Sequence, residues 1–345
     1  MTTYFSVNGI NINTIFAAAG AADGSNNTLT GYTTGSGTAI KFLKPFYAGI
    51  STTANETIYN TDPLMYATAN FLSNSANLKF CPPYVFYKGN ESTAFTAGSS
   101  TTHSAGTTAT TSNVTPPVGV TRMLVILVGG GGGGGGGGSK SNGGAGGGGG
   151  GGAGAINIYS IPYTTGNYTI NVGGGGLYGY TNGNQAGGPG DEDNTSPNNP
   201  GAGGGSGTGT NIVYGGITHT TNGGSGGSGG ANTAGGSAGT GATTTTINST
   251  LIYSYAGNNG STGSYGSTAN PGGAGGTPKY NETINTNILK VISNQVSLTN
   301  NNISTSTKLQ YGEGGKGGKG DNADNWGWNG EFGAPGCAFV FYFYN

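Results

Sequence analysis

The sequence predicts a mainly β chain, with an N-terminal module of short strands and a C-terminal glycine-rich β domain built around extended polyglycine segments. Three observations predict it. Glycine supplies 77 of the 345 residues and comes in long runs, Gly129–Gly138 without interruption. The runs are flanked by short segments rich in β-branched and aromatic residues, Met123–Val128 and Ala338–Tyr344 above all, which read as strands. Charged residues make up only 7%, while 20 Tyr and 12 Phe are present to build a core. A disordered polyelectrolyte shows the opposite balance.

Composition divides the chain into three zones. Residues 1–92 carry aromatics and apolar clusters and read as a small β-rich module. Within it, Ile40-Lys41-Phe42-Leu43-Lys44-Pro45-Phe46 matches Leu78-Lys79-Phe80-Cys81-Pro82-Pro83-Tyr84, a weak internal repeat closed by proline. Asn11–Ala19 and Asp62–Leu72 are the candidate turns or short helices. Residues 93–115, mostly Ser, Thr, Ala and Gly, read as a linker. Residues 116–345 form the glycine-rich zone.

That zone opens with Met123–Val128, apolar at every position and therefore a central strand covered on both faces. After Gly129–Gly138 and Ser139-Lys140-Ser141-Asn142, glycine resumes from Gly143 to Gly154, broken only by Ala145 and Ala153. Ala155–Tyr159 and Tyr168–Val172 alternate apolar and polar residues, as half-buried strands do, with Tyr163–Gly166 as the turn between them. Ala338–Tyr344 closes the chain. Exposed, it would be a strongly aggregating edge, so it is expected to share one sheet with Met123–Val128.

The glycine runs do not suit a helix, where each Gly costs about 1 kcal/mol relative to Ala. Collagen needs Gly at every third position and abundant proline, but Gly223–Gly230 keeps that period only briefly and there are 13 Pro. Two arrangements remain. In one, extended three-residue-per-turn segments pack laterally and satisfy one another's N–H and C=O groups. In the other, the runs are loose loops between strands. Lateral packing is the favoured reading.

Function classes narrow by chemistry. The net charge is -1, from 11 basic and 12 acidic residues, so nothing neutralises a phosphate backbone and nucleic acid is not an expected partner. The longest apolar runs are far short of the ~20 residues of a membrane helix, and Met1–Gly9 lacks the features of a secretory signal. Cys81 and Cys337 read as free buried thiols. Sequons such as Asn26, Asn55 and Asn90 show only that glycosylation is chemically open. The glycines after Met123–Val128 satisfy a dinucleotide fingerprint trivially, without the helix and acidic residue it needs. Gly134–Ser141 lacks the Gly before Lys140 that a phosphate loop requires.

His103 and His219 stand in Ser/Thr/Gly surroundings and read as exposed loop residues. Asp191-Glu192-Asp193 reads as a solvated acidic loop, although its oxygens suit a hard cation. Gly312–Gly320, with Lys316 and Lys319, reads as a solvated basic loop. Among the 12 acidic residues no pair stands out as the two carboxylates of a depolymerase. The sharpest local feature is Asp324-Asn325-Trp326-Gly327-Trp328, flanked by Asp321, Asn322 and Asn329. Two Trp two apart share one face of a strand, and they serve either a sugar or as cover for the glycine segments. No catalytic, cofactor-binding or metal-ligating residue is assigned, and no cofactor is expected.

One further pattern carries a resemblance. It runs from Pro117-Val118-Gly119-Val120-Thr121 through strand, polyglycine, strand, Gly166-Asn167-Tyr168-Thr169-Ile170-Asn171-Val172-Gly173 and dispersed Gly-Gly pairs to Gly333-Ala334-Pro335-Gly336 and a terminal aromatic strand. This order resembles the glycine-rich domain of phage tail-fibre adhesins and of structural proteins in large DNA virus particles. The opening Tyr4–Ala17 is similar to the short Val-Asn-Gly units of giant-virus glycine-rich proteins, with Asn11 where those units often carry Asp. The resemblance implies a non-enzymatic virion protein, made in the host cytoplasm: a minor capsid, spike or fibre component. Its implied partners are other virion proteins, including a major capsid or fibre protein, and copies of itself. The alternative it implies is a fibre-tip adhesin for host surface glycans.

Overall fold

The computed structural model describes residues 6–7, 10–11, 84–90, 105–116, 119–140, 144–180, 192–194, 199–245, 250–266, 270–279, 310–320 and 326–344. The internal repeat at 40–46 and 78–83, the candidate helix at Asp62–Leu72, Cys81 and His103 lie outside them. So does Asn11–Ala19, apart from Asn11 itself, which ends a short strand.

The described residues are mainly β and contain no helix. Their strands are β1 (Ser6–Val7), β2 (Ile10–Asn11), β3 (Tyr84–Lys88), β4 (Ala109–Val114), β5 (Val120–Val128), β6 (Ile156–Pro162), β7 (Tyr168–Val172), β8 (Glu192–Asn194), β9 (Asn211–Tyr214), β10 (Ile217–Thr220), β11 (Leu251–Tyr255), β12 (Trp326–Trp328) and β13 (Cys337–Tyr344). All pairings are antiparallel. The two main sheets have the orders β11-β6-β5-β13-β3 and β10-β9-β7-β4. β3, from within residues 1–92, is thus an edge of the same sheet as β13. β4 takes residues 109–114 of the stretch expected to be a linker, 93–115, into the second sheet. Its exposed Thr and Ser side chains suit an outer strand, and composition alone cannot tell such a strand from a tether.

The two sheets share one core. Met123, Val125 and Leu127 of β5 and Ala338, Val340 and Tyr342 of β13 pack with Tyr168, Ile170 and Val172 of β7 and Ile212 of β9. Each buried aliphatic or aromatic side chain contributes roughly 1.5–3 kcal/mol. β7 buries alternate residues only, whereas β5 is buried on both faces from Met123 to Val128. β5 is also central, between β6 and β13, as its continuous apolar run predicts. A chain of hydroxyls ties the sheets together: Tyr87 and Tyr342 each lie 2.7 Å from the Tyr168 hydroxyl. Burial pushes the Tyr168 ionisation far above its usual range, and the two neighbouring phenols push it further. The β9–β10 turn places Gly215 and Gly216 at φ of 58° and 77°, the left-handed pair that a tight hairpin requires.

Beyond the sheet ends, the strands run on into glycine segments that hydrogen-bond laterally. Along 129–139 every backbone N–H donates, and the acceptors rotate with a period of three. Gly129, Gly132, Gly135 and Gly138 donate to 146–155. Gly130, Gly133, Gly136 and Ser139 donate to 199–208. Gly131, Gly134 and Gly137 donate to 328–334. The carbonyls of the same run accept from 176–179, 224–230 and 315–318. Run 146–155 behaves alike, donating to 222–231, 258–264 and 312–318 and accepting from 129–138, 236–242 and 273–276. Two central runs, each ringed by other segments, therefore form a solid lattice. The loose-loop alternative is set aside by this bonding.

Glycine density follows position in that lattice. The two central runs are glycine or alanine at almost every position. Segments 222–231 and 312–320 touch both central runs and read Gly-Gly-Ser and Gly-Gly-Lys, while segment 257–266 at the rim keeps glycine only at every third place. Within the central runs nothing larger than the methyl groups of Ala145, Ala153 and Ala155 is buried between neighbouring segments, apart from Ser139 at the end of the first run. At Gly132 and Gly148 a Cβ would land on the carbonyls of Ser225 and Gly135.

Candidate functional site

The structure brings together two features that lie more than a hundred residues apart. β12, the Trp-Gly-Trp strand, pairs with β8 from the acidic stretch. Trp326 stands opposite Asn194, Gly327 opposite Asp193 and Trp328 opposite Glu192. This register places both Trp positions, Asn194 and Glu192 on one face of the ladder, and Asp193 on the other. The acidic stretch is therefore strand-paired at Glu192 and Asp193, where a loop was expected. Asp191, Asp321, Asn322, Asp324 and Asn325 lie outside the described residues.

The lattice holds β12 in place. Trp328 donates its N–H to the Lys319 carbonyl at 3.0 Å and accepts from Gly137 at 2.8 Å. The Lys319 ammonium stands 5.7 Å from the Trp328 ring centre, a cation–π contact worth about 0.5–1 kcal/mol at an exposed site. Lys316 and Lys319 are exposed, as expected, but Gly312–Gly320 is a lattice segment and not a loop. The Trp328 ring beside the Lys319 ammonium offers an apolar face and a hydrogen-bond donor to a neutral polyol.

Other sequence candidates fall elsewhere. His219 lies in β10, only 7% exposed, with its ring 5.0 Å from that of Tyr159. Burial lowers its pKa below the ordinary value. The exposed-loop expectation fails because Thr-His-Thr alternates in a hairpin whose inner position is His219. Gly129–Gly138 enters the lattice, and no helix follows it among the described residues. Cys337 is buried, as expected. Sequence reasoning missed one pairing of acids. Glu313 and Glu331, on neighbouring lattice segments, interact. Burial, with Glu331 adding to it, holds the Glu313 carboxyl above the usual range, although the Gln310 N–H donates to it at 2.8 Å. Glu331 is 8% exposed, and Glu313 is half-buried. The described residues hold no group of three or more His, Cys, Asp or Glu able to bind a metal.

The fold defines a class: an antiparallel β sandwich extended by a lattice of hydrogen-bonded glycine segments. The glycine-rich domain family matches residues 88–343, and the chain belongs to that family. Comparison with curated proteins finds no match. No helix among the described residues is long and apolar enough to cross a membrane.

Proposed function

We propose that the chain is a non-enzymatic structural protein of a virus particle, a minor capsid, spike or fibre component that acts through assembly contacts. The observation that carries this reading is the lattice itself. Its central segments are packed too closely to admit a methyl group at Gly132 or Gly148, so the two central runs leave no room for a substrate between them and their neighbours among the described residues. The period of three in its hydrogen bonds supports polyglycine-II-like segments. The resemblance of the opening Tyr4–Ala17 to giant-virus units favours a virion over other scaffolds. The test is fractionation of purified particles from the source of the sequence. The protein should remain with capsid or fibre through salt and detergent washes, and its recovery only in soluble host fractions would refute the reading.

A second reading, a fibre-tip adhesin for host surface glycans, is favoured by the β8–β12 ladder. On that reading Trp328→Ala should lower retention on immobilised host polysaccharide at least tenfold, with the unfolding midpoint held. Equal retention of both proteins, or none by either, would dismiss it.

A further inference from the structure

We propose that the face made by segments 199–209 and 222–231 docks a second copy of this chain, so that the glycine lattice continues from one protein into the next. The inference rests on the assembly role proposed above and names the surface and the partner.

Four observations carry it. Within 222–231 the N–H groups donate in a strict rotation: Gly224, Gly227 and Gly230 to run 130–136, and Ser225, Ser228 and Ala231 to 234–240. The third set, Gly223, Gly226 and Gly229, donates to no backbone acceptor among the described residues, and neither do Gly203 and Ser206 on the adjoining segment. The carbonyls of these same five residues accept no backbone N–H there either. The face thus presents unpaired donors and acceptors together, at the lattice's own period of three. Backbone groups in that pattern are met by another segment of the same kind, and a copy related by a twofold axis supplies one.

Secondly, Gly203 has no steric reason to be glycine within its own chain. A Cβ there would meet nothing nearer than 3.5 Å, while most lattice glycines would collide with a carbonyl. An incoming segment gives that glycine a neighbour. Thirdly, no Asp, Glu, Lys or Arg occurs from Asn194 to Pro278. The face neither repels a copy nor attracts a charged partner. Fourthly, the opposite flank is closed. Segment 312–320 also contacts both central runs, but its outward N–H groups belong to Lys316 and Lys319, whose exposed charged side chains block approach.

The test uses the full chain. Sedimentation velocity over a concentration series should show a dimer. Ser206 and Ser228 are both exposed, so the double variant Ser206→Lys/Ser228→Lys adds charge to these two segments without entering the lattice. It should be monomeric, with at least a tenfold weaker association and an unchanged unfolding midpoint. In a separate variant, Ser228→Cys, a short bismaleimide should give a cross-linked dimer above the wild-type background. A wild-type chain that stays monomeric, a double variant that still associates as tightly, or no added cross-link would overturn the proposal. Should the double variant fail to fold, the cross-link alone decides. A monomer that still purifies with particles removes only this inference, and a dimer absent from particles removes only the virion role.

Discussion

Deleting Phe339–Asn345 is expected to make the glycine-rich domain insoluble or protease-sensitive, although the segment carries no chemistry. β13 pairs along its length with β5 on one side, from Cys337↔Val128 to Tyr344↔Val120, and with β3 on the other. The truncation removes Phe339, Val340, Phe341 and Tyr342, all buried. At roughly 1.5–3 kcal/mol each, the loss rivals the 5–15 kcal/mol that holds a typical domain together. It would also leave β5, apolar on both faces, as an open edge. The damage reaches further than the terminal strand. β3 has no other partner among the described residues, and segment 328–336, which run 129–139 uses as acceptor, loses most of the strand that follows it. Limited proteolysis and a solubility assay read the outcome. A truncated protein that stays soluble and resists protease across 116–338 would show that the domain closes some other way.

Gly132→Val and Gly148→Val should each destabilise the protein by at least about 1–3 kcal/mol, the usual range for overpacking a tight interior. The Cβ at Gly132 meets the Ser225 carbonyl, and the one at Gly148 meets that of Gly135. In both places the obstacle is backbone, which cannot turn aside as a side chain can. Gly132 also donates to Gly152 and accepts from Gly315 at 2.9 and 2.8 Å, so moving it strains three segments at once. Ser237→Val, on an exposed row of the rim, is the control and should stay within about 0.5 kcal/mol. Denaturant midpoints measured side by side give the answer. Unchanged midpoints for both glycine variants would mean that the runs do not bear on one another as the lattice requires.

Much of the sandwich was legible in the chain because strand formation is written locally. Tyr168–Val172 alternates apolar and polar residues and is one-sided in the fold. Met123–Val128 is apolar throughout and is buried on both faces, within a β5 that starts slightly earlier, at Val120. The placing of the terminal strand beside β5 also followed, since two strongly apolar segments with no other cover had to meet. β4 was not legible. Its Thr, Ser and Asn residues face solvent at a sheet edge and have the composition of a tether. His219 was missed for a similar reason, because its burial depends on Tyr159 across the fold and not on its neighbours in sequence. The candidate site was half legible. The Trp pair and the acidic stretch stood out separately, but nothing in either shows that they pair.

By itself the sequence determined that the chain is β and that its glycine segments need close neighbours. In the structure the central runs are almost all glycine, and the rim segment 257–266 keeps glycine at every third position. Only the tertiary structure decided which segment lies beside which. A side chain can encode its partner through size, charge or shape. A glycine run has only its backbone, identical at every position, so it records that neighbours are near and leaves their identity to the sheets that fix its ends.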